Sequence, residues 1–282
     1  MVPPAGFPFA LRRCPCQPSR AVAADFELTF LGTGTSVGVP VIGCPCRVCH
    51  SEDPRDNRTR SSIHLRCGDI SVLVDSGPDL RAQALREGLT KVDAVLYTHA
   101  HVDHVVGFDE LRAFCWHRET PLPLHATPET MEVLKRMFGW AFSTENVFRG
   151  YIKPDPQLIE GPLHVGELKV TPLPVVHAKA DTVGFLFEPP SGPKVAYIPD
   201  VKEVPPATMA LLGGADILII DALREQPHPT HLSRDEALAV IAECRVPRAW
   251  LTHLSHENLH AELEAVLPQG VQVAWDGLRI LA

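Results

Sequence analysis

The chain has 282 residues, 45% of them hydrophobic and 21% charged, which suits one α/β domain with a large core. Every apolar run is broken by charge, Pro or Gly before the roughly 18 to 20 residues that a membrane helix needs, so no spanning segment is expected. The formal net charge is −8, from 26 Lys and Arg against 34 Asp and Glu, with no long basic run; this argues against long nucleic acid as a partner and leaves a small anion open.

Met1 to Ala24 reads as a flexible N-terminal extension, with prolines where a secretory apolar core would lie. Its arginines and lack of acidic residues also suit an organelle import peptide; otherwise the expected location is cytoplasmic. Residues 25–282 read as a single domain. Phe26 to Leu31 predicts a strand that enters the turn Gly32-Thr33-Gly34. Ser62 to Cys67 and Ile70 to Val74 predict a hairpin around Gly68-Asp69, with Asp75 at its end. Pro78 is placed to open a helix that Gly88 closes, and Ala94 to Tyr97 is the next strand.

Thr127-Pro128 predicts an N-cap and first-turn proline for a helix to about Gly139, followed by Trp140 and Phe142, read as packing residues rather than pocket lining. Short strands follow at Lys169 to Thr171, Val183 to Phe187, Val195 to Ile198 and Ile217 to Ile220, the last two running to Asp200 and Asp221. Ser233 and Glu236 form a capping box for a helix from Asp235 to Cys244, Ala249 to Thr252 is a strand leading to His253, and Asp276-Gly277 predicts a terminal hairpin. Strands and helices alternate, so the class is α/β.

The densest chemistry lies in Thr98-His99-Ala100-His101-Val102-Asp103-His104, directly after a predicted strand. An extended or looped backbone can turn His99 and His101 to one side and leave Asp103 and His104 for a second metal, whereas a helix would make the first two diverge. A solvated loop rarely concentrates nitrogen ligands beside a hard oxygen donor. The eight cysteines are unevenly spread, with three in Gly43-Cys44-Pro45-Cys46-Arg47-Val48-Cys49, and three thiolates on one tight loop favour zinc over disulfides. Cys67, Cys115 and Cys244 stand alone and read as packing residues; Cys14 and Cys16 carry no reading.

The cluster resembles the H-x-H-x-D-H signature of the metallo-β-lactamase superfamily. The other motifs of that family occur in order: Asp75 in Val72-Leu73-Val74-Asp75-Ser76-Gly77, His177 after Pro174-Val175-Val176, Asp200 after Tyr197-Ile198-Pro199, and His253. The resemblance spans Phe26 to Ala282 and implies a four-layered αββα sandwich with a two-metal site. By it His99, His101, His177 and Asp200 bind one metal, and Asp103, His104, Asp200 and His253 bind the other. Asp200 bridges, and Asp75 supports the histidine loop from behind.

Within the superfamily the cysteine loop resembles the phosphoribosyl cyclic phosphodiesterases of the carbon-phosphorus lyase pathway, where three early cysteines and a late histidine hold a structural zinc. That resemblance supplies His256 as the fourth ligand, with His50 as the local competitor. It also makes His231, in His228-Pro229-Thr230-His231, the residue that meets substrate phosphate, with His228 as its neighbouring rival. The glycines around Gly32 lack the Gly-Lys of a phosphate loop and the following helix of a dinucleotide fingerprint, so tight backbone packing is their reading. Asp53 to Arg60 reads as a solvated loop, with Arg58 and Arg60 as candidates to approach an anion.

The resemblance therefore implies a metal-dependent phosphodiesterase acting on small, cyclic phosphodiesters, with His231, Asp200 and Asp103 in catalysis. Its cofactors would be two divalent ions, Zn or Mn, and one structural Zn. The implied partner is a small phosphorylated substrate, with no long nucleic acid and no membrane, and the family implies a homodimer. The competing readings are another hydrolase of the fold (thioesterase, lactonase or RNA 3′-end nuclease) and a non-catalytic carrier like pyrroloquinoline quinone biosynthesis protein B.

Overall fold

The computed structural model describes residues 26–148 and 150–281. The expected extension through Ala24, with Cys14 and Cys16, lies outside the described residues. The first half of the chain runs β1 (Phe26–Gly32), β2 (Ser62–Cys67), β3 (Ile70–Val74), α1 (Leu80–Glu87), β4 (Ala94–Leu96), α2 (Val102–Val105), α3 (Arg112–Cys115), β5 (Leu122–Ala126), α4 (Pro128–Met137), α5 (Gly139–Phe142) and β6 (Pro154–Leu158). The second runs β7 (Leu163–Val165), β8 (Leu168–His177), β9 (Ala180–Glu188), β10 (Val195–Ile198), α6 (Pro206–Leu212), β11 (Ile217–Asp221), α7 (Arg234–Cys244), β12 (Arg248–Thr252), α8 (His260–Val266), β13 (Val271–Val273) and β14 (Arg279–Leu281).

These strands form two seven-stranded sheets, ordered β14-β1-β2-β3-β4-β5-β6 and β13-β12-β11-β10-β9-β8-β7. Three apolar clusters fill the three gaps of the αββα sandwich. Phe26, Leu28, Phe30, Phe185, Phe187 and Tyr197 lock the sheets face to face. Leu212, Ala237, Ile241 and Leu263 seal α6, α7 and α8 on the second sheet. Leu80, Phe108, Met131 and Leu134 seal the helices of the first half on the other. Burying such side chains contributes about 1.5 to 3 kcal/mol each.

Local chemistry explains the element ends. Thr127 caps α4 by accepting from Thr130 N–H, Ser233 and Glu236 close a capping box on α7, and Gly88 ends α1 in the left-handed region at φ 67°. Helix α1 starts at Leu80 rather than at Pro78, because Asp79 makes no side-chain cap and accepts instead from the Arg60 backbone N–H at 2.9 Å. Strand β8 runs far past Thr171 despite Pro172 and Pro174. Its pairing with β7 ends at Val170, so the prolines sit where one flank needs no N–H donor.

Three expectations are corrected. Asp276-Gly277 does not turn a hairpin, because β13 pairs with β12 in one sheet and β14 with β1 in the other. Asp276 instead accepts from the N–H and hydroxyl of both Thr33 and Thr59. Asp53 to Arg60 is not a solvated loop: Asp56 and Arg58 are buried, and Arg60 pairs with Asp79 at 3.2 Å, so both arginines serve the protein itself. Trp140 is 43% exposed and leans on Tyr151 instead of packing in the core, whereas Phe142 does pack against Phe108. The tight-packing reading of Gly32 holds, since a Cβ there would stand 2.0 Å from the Arg60 carbonyl.

Candidate metal centre

Strands β3, β4 and β5 run parallel in one sheet, as do β10, β11 and β12 in the other. Strand β8 shares the direction of β10 because both are antiparallel to β9. The carboxyl ends of these strands therefore gather at one end of the sandwich, where rigid backbone delivers loop residues at fixed reach. Asp75 follows β3, His99 to His104 follow β4, His177 closes β8, Asp200 follows β10, Asp221 closes β11 and His253 follows β12.

Two groups of ligand atoms result. His99 Nε2 lies 2.9 Å from His101 Nδ1, which lies 3.3 Å from His177 Nε2. In the second group His104 Nε2 lies 3.3 Å from Asp103 Oδ2, with His253 completing the cluster. Asp200 stands between them, Oδ1 3.2 Å from His253 Nε2 and 3.9 Å from His177 Nε2, and Oδ2 3.2 Å from His104 Nε2.

Hydrogen bonds on the far side of the rings set which nitrogen faces inward. His104 donates through Nδ1 to Asp75 Oδ2 at 2.8 Å, and His177 through Nδ1 to the Thr230 carbonyl at 2.8 Å. The Thr98 hydroxyl donates to Asp75 at 2.9 Å and so accepts from His99 Nδ1 at 3.0 Å. Each leaves an Nε2 lone pair pointing into the site. Burial pushes His99 well below the usual histidine range and His253 down to about 4. His104 is driven the other way, since the carboxylates of Asp200, Asp75 and Asp103 outweigh its burial; a cation held at its Nε2 would take the place of that proton.

The residues fit a pair of cations. Three imidazole nitrogens meet at 2.9 and 3.3 Å, and tetrahedral coordination at ~2.0 to 2.1 Å separates ligand nitrogens by about 3.3 Å. His104 Nε2, Asp200 Oδ2 and both nitrogens of His253 are buried without a hydrogen-bond partner, a costly state that a metal removes. Backbone strain is concentrated at the same place: Asp75 has φ 63°, Ala178 φ 50° and His253 φ 57°. The loop after β4 also packs on the turn after β3, where a Cβ on Gly107 would stand 2.0 Å from the Gly77 carbonyl.

His231 lies beside both groups, its ring 4.7 Å from that of His177 and 4.8 Å from that of His253. Its Nδ1 donates to Asp221 Oδ2 at 2.8 Å. Against the cost of burial, that bond holds His231 above the usual histidine range, while burial raises Asp221 to about 7. The ring of the neighbouring His228 lies 5.2 Å from that of His231, and its Nδ1 accepts from Thr230 N–H at 3.3 Å. Sequence reasoning gave Asp221 no role; its signal was an acid closing the fully apolar run Ile217 to Ile220.

A separate cluster lies on the cysteine loop. The sulfurs of Cys44, Cys46 and Cys49 stand 3.2, 3.5 and 3.7 Å from His256 Nδ1, all four ligand atoms lying within 4.8 Å of one another. His50 is not part of it, being exposed with Nδ1 against the Cys46 carbonyl at 3.1 Å. The backbone N–H of Cys49 foremost lowers the Cys46 thiol to about 6, which favours the thiolate a metal needs. Of the cysteines outside the cluster, Cys244 is buried in the core and Cys67 and Cys115 pack at its margins.

The fold and these strand-end residues define a metallo-β-lactamase-type hydrolase. The beta-lactamase superfamily domain matches residues 71–254, a span running from just before Asp75 to just after His253, and the chain belongs to that superfamily. The chain is similar to the crystal structure of a new diphosphatase from the PhnP family, at 38% identity and TM-score 0.83, covering 90% of this chain and 96% of that one. It is 36% identical over 263 residues to an octanoyltransferase of Porphyromonas gingivalis; that match takes in 89% of this chain but spans only 51% of the relative's length. Zinc-bound PqqB from Methylobacterium extorquens shares the fold, at 24% identity and TM-score 0.74, covering 91% of this chain and all (100%) of that one. Among the described residues no helix is long and apolar enough to cross a membrane.

Proposed function

We propose that this protein hydrolyses small phosphodiesters, cyclic ones included, at a dinuclear metal centre. His99, His101, His177 and Asp200 would hold one divalent ion, Zn or Mn, and Asp103, His104, Asp200 and His253 the other. Cys44, Cys46, Cys49 and His256 would hold a structural Zn. Divalent cations held at the first two sites supply Lewis acidity that activates water and offsets phosphate charge.

The observation that carries the reading is the Asp221–His231 pair beside the ligand cluster, at 2.8 Å. Asp221 accepts from Nδ1 of His231, so its other ring nitrogen can keep a proton for the departing alkoxide, a general-acid role typically worth on the order of 10²- to 10⁴-fold. Asp103 keeps 13% of its side chain exposed, enough to accept a hydrogen bond from the attacking water. Asp75 and the Thr230 carbonyl hold the rings of His104 and His177 in place. With a formal net charge of −8, a small substrate suits the protein better than long RNA.

The likeness to a diphosphatase supports phosphorus as the reacting centre, and the likeness to an octanoyltransferase, over half of that relative's length, is the reason for an acyl substrate in the competing arm. The test assays metal-replete protein on a 2′,3′-cyclic nucleotide, a linear phosphodiester, a diphosphate ester and an acyl thioester. Turnover of the phosphodiesters supports the proposal; turnover of the thioester alone overturns it.

A further inference from the structure

His253 differs from the other buried histidines of the centre in how it is aimed. His99, His104 and His177 each have an outer nitrogen fixed by a hydrogen bond, whereas neither nitrogen of His253 has one, and Asp221 Oδ1 stands off at 3.8 Å from its Nδ1. Its direction is therefore set by its backbone, held at φ 57°. The next residue is pinned on both sides: Leu254 N–H donates to the Thr33 carbonyl at 2.9 Å, and Thr35 N–H donates to the Leu254 carbonyl at 3.2 Å.

Thr33 is itself held by Asp276, through its N–H and hydroxyl, and by Arg58, whose side chain is among the largest fully buried ones. Its guanidinium donates to the Thr33 hydroxyl at 2.9 Å, to the Ala274 carbonyl at 2.6 Å and to His260 Nδ1 at 3.3 Å. One planar fork thus ties the segment after β1 to the start of α8 and the end of β13. The direct hydrogen-bond partners of this buried guanidinium are neutral and its Nε has none; the carboxylates of Asp276 and Asp56 offset part of the cost of burying its charge.

We propose that Arg58 is a positioning residue for the metal centre: through Thr33 and Leu254 it sets the aim of His253, and so the affinity of the Asp103, His104 and His253 group for its cation. This rests on the two-metal reading above. Asp75 does for His104 by a side-chain bond what Arg58 does for His253 through backbone. Arg58→Met keeps the apolar length of the side chain and removes the fork, whereas Arg58→Lys restores a cation with fewer fixed donors.

Cobalt(II) titration tests the proposal, since sulfur-to-cobalt charge transfer reports the cysteine site and the d–d absorption that still grows once that band has saturated reports the nitrogen and oxygen sites. Arg58→Met is expected to keep the charge-transfer band and one tight nitrogen site, and to weaken the second at least 10-fold, with Arg58→Lys recovering part of the loss. If Arg58→Met does not fold, Arg58→Lys alone is read, and it is expected to weaken the same step by a smaller factor. Unchanged binding at both nitrogen sites in the folded variants overturns the proposal, as does loss of the cysteine-site band in parallel. Failure of the wild-type protein to bind cobalt outside the cysteine site would instead overturn the two-metal reading on which it rests.

Discussion

The carboxylate of Asp221 stands 2.8 Å from Nδ1 of His231, at the closed end of a fully buried strand, so the imidazole beside the candidate ligands is oriented by an acid that binds nothing else at that oxygen except the Val201 N–H. This pair predicts a division of labour. His231→Ala should lower kcat on an alkyl phosphodiester by about 10²- to 10⁴-fold, and much less on an ester whose leaving group needs no proton. Asp221→Asn should lose on the order of 10- to 100-fold. Both variants should keep wild-type metal content by elemental analysis; equal losses on both esters would remove the general-acid role.

Asp75 is placed to act on affinity rather than on chemistry. It accepts from His104 Nδ1, the Thr98 hydroxyl and Thr98 N–H, at 2.8 to 2.9 Å, and so fixes both the ring and the backbone of the ligand loop. Asp75→Ala should weaken binding in the Asp103, His104 and His253 group by about 10- to 100-fold, read by competition with a metal chelator. Retained affinity would make Asp75 a packing residue.

The cysteine loop should behave as a staple independent of catalysis. Cys46→Ser is expected to remove one ion per chain and lower the melting temperature, with residual activity proportional to the folded fraction. A variant that loses one ion with no change in melting temperature would contradict a structural role.

Acid should destabilise the fold through histidines held neutral. Burial lowers both His64 and His260 to about 4, against roughly 6.5 in the unfolded chain. Between those values the unfolded chain takes up protons that the folded protein refuses. Stability is thus full above about pH 6.5, falls as pH drops towards 4, and levels off below. His64 donates through Nε2 to Ser71 at 2.8 Å, which Gln can imitate without titrating. Apo His64→Gln should therefore lose on the order of 1 to 3 kcal/mol less than the wild type between pH 7 and pH 4.5 in denaturant titrations. Parallel losses in both proteins would exclude His64 as a source.

What the sequence made legible follows from how each feature is encoded. The strands that end at His99, Asp200 and His253 are short apolar runs followed by a ligand-type residue, so side-chain chemistry and element boundary coincide. Strand β6 could not be read that way, because its edge starts with the half-buried Pro154 and Asp155, ends in the exposed Pro156, Gln157 and Leu158, and has no apolar alternation. Strand β8 hid behind prolines tolerated only because its neighbour is short. Arg58 looked like a polar loop residue and Asp276 like part of a hairpin turn, and their burial depends on partners more than 200 positions away, Ala274 for the first and Thr33 and Thr59 for the second. Such pairings exist only once both sheets have closed. Asp221 was visible as an acid at a strand end, but its role needed His231 to be brought beside it.

The central claim is that two cations sit on either side of the Asp200 carboxylate. Anomalous diffraction from crystals of metal-replete protein tests it most directly. Two peaks are expected to flank Asp200, one ringed by His99, His101 and His177 and one by Asp103, His104 and His253, with a third among Cys44, Cys46, Cys49 and His256. A peak at the cysteine loop with none beside Asp200, at saturating zinc or manganese, would contradict it.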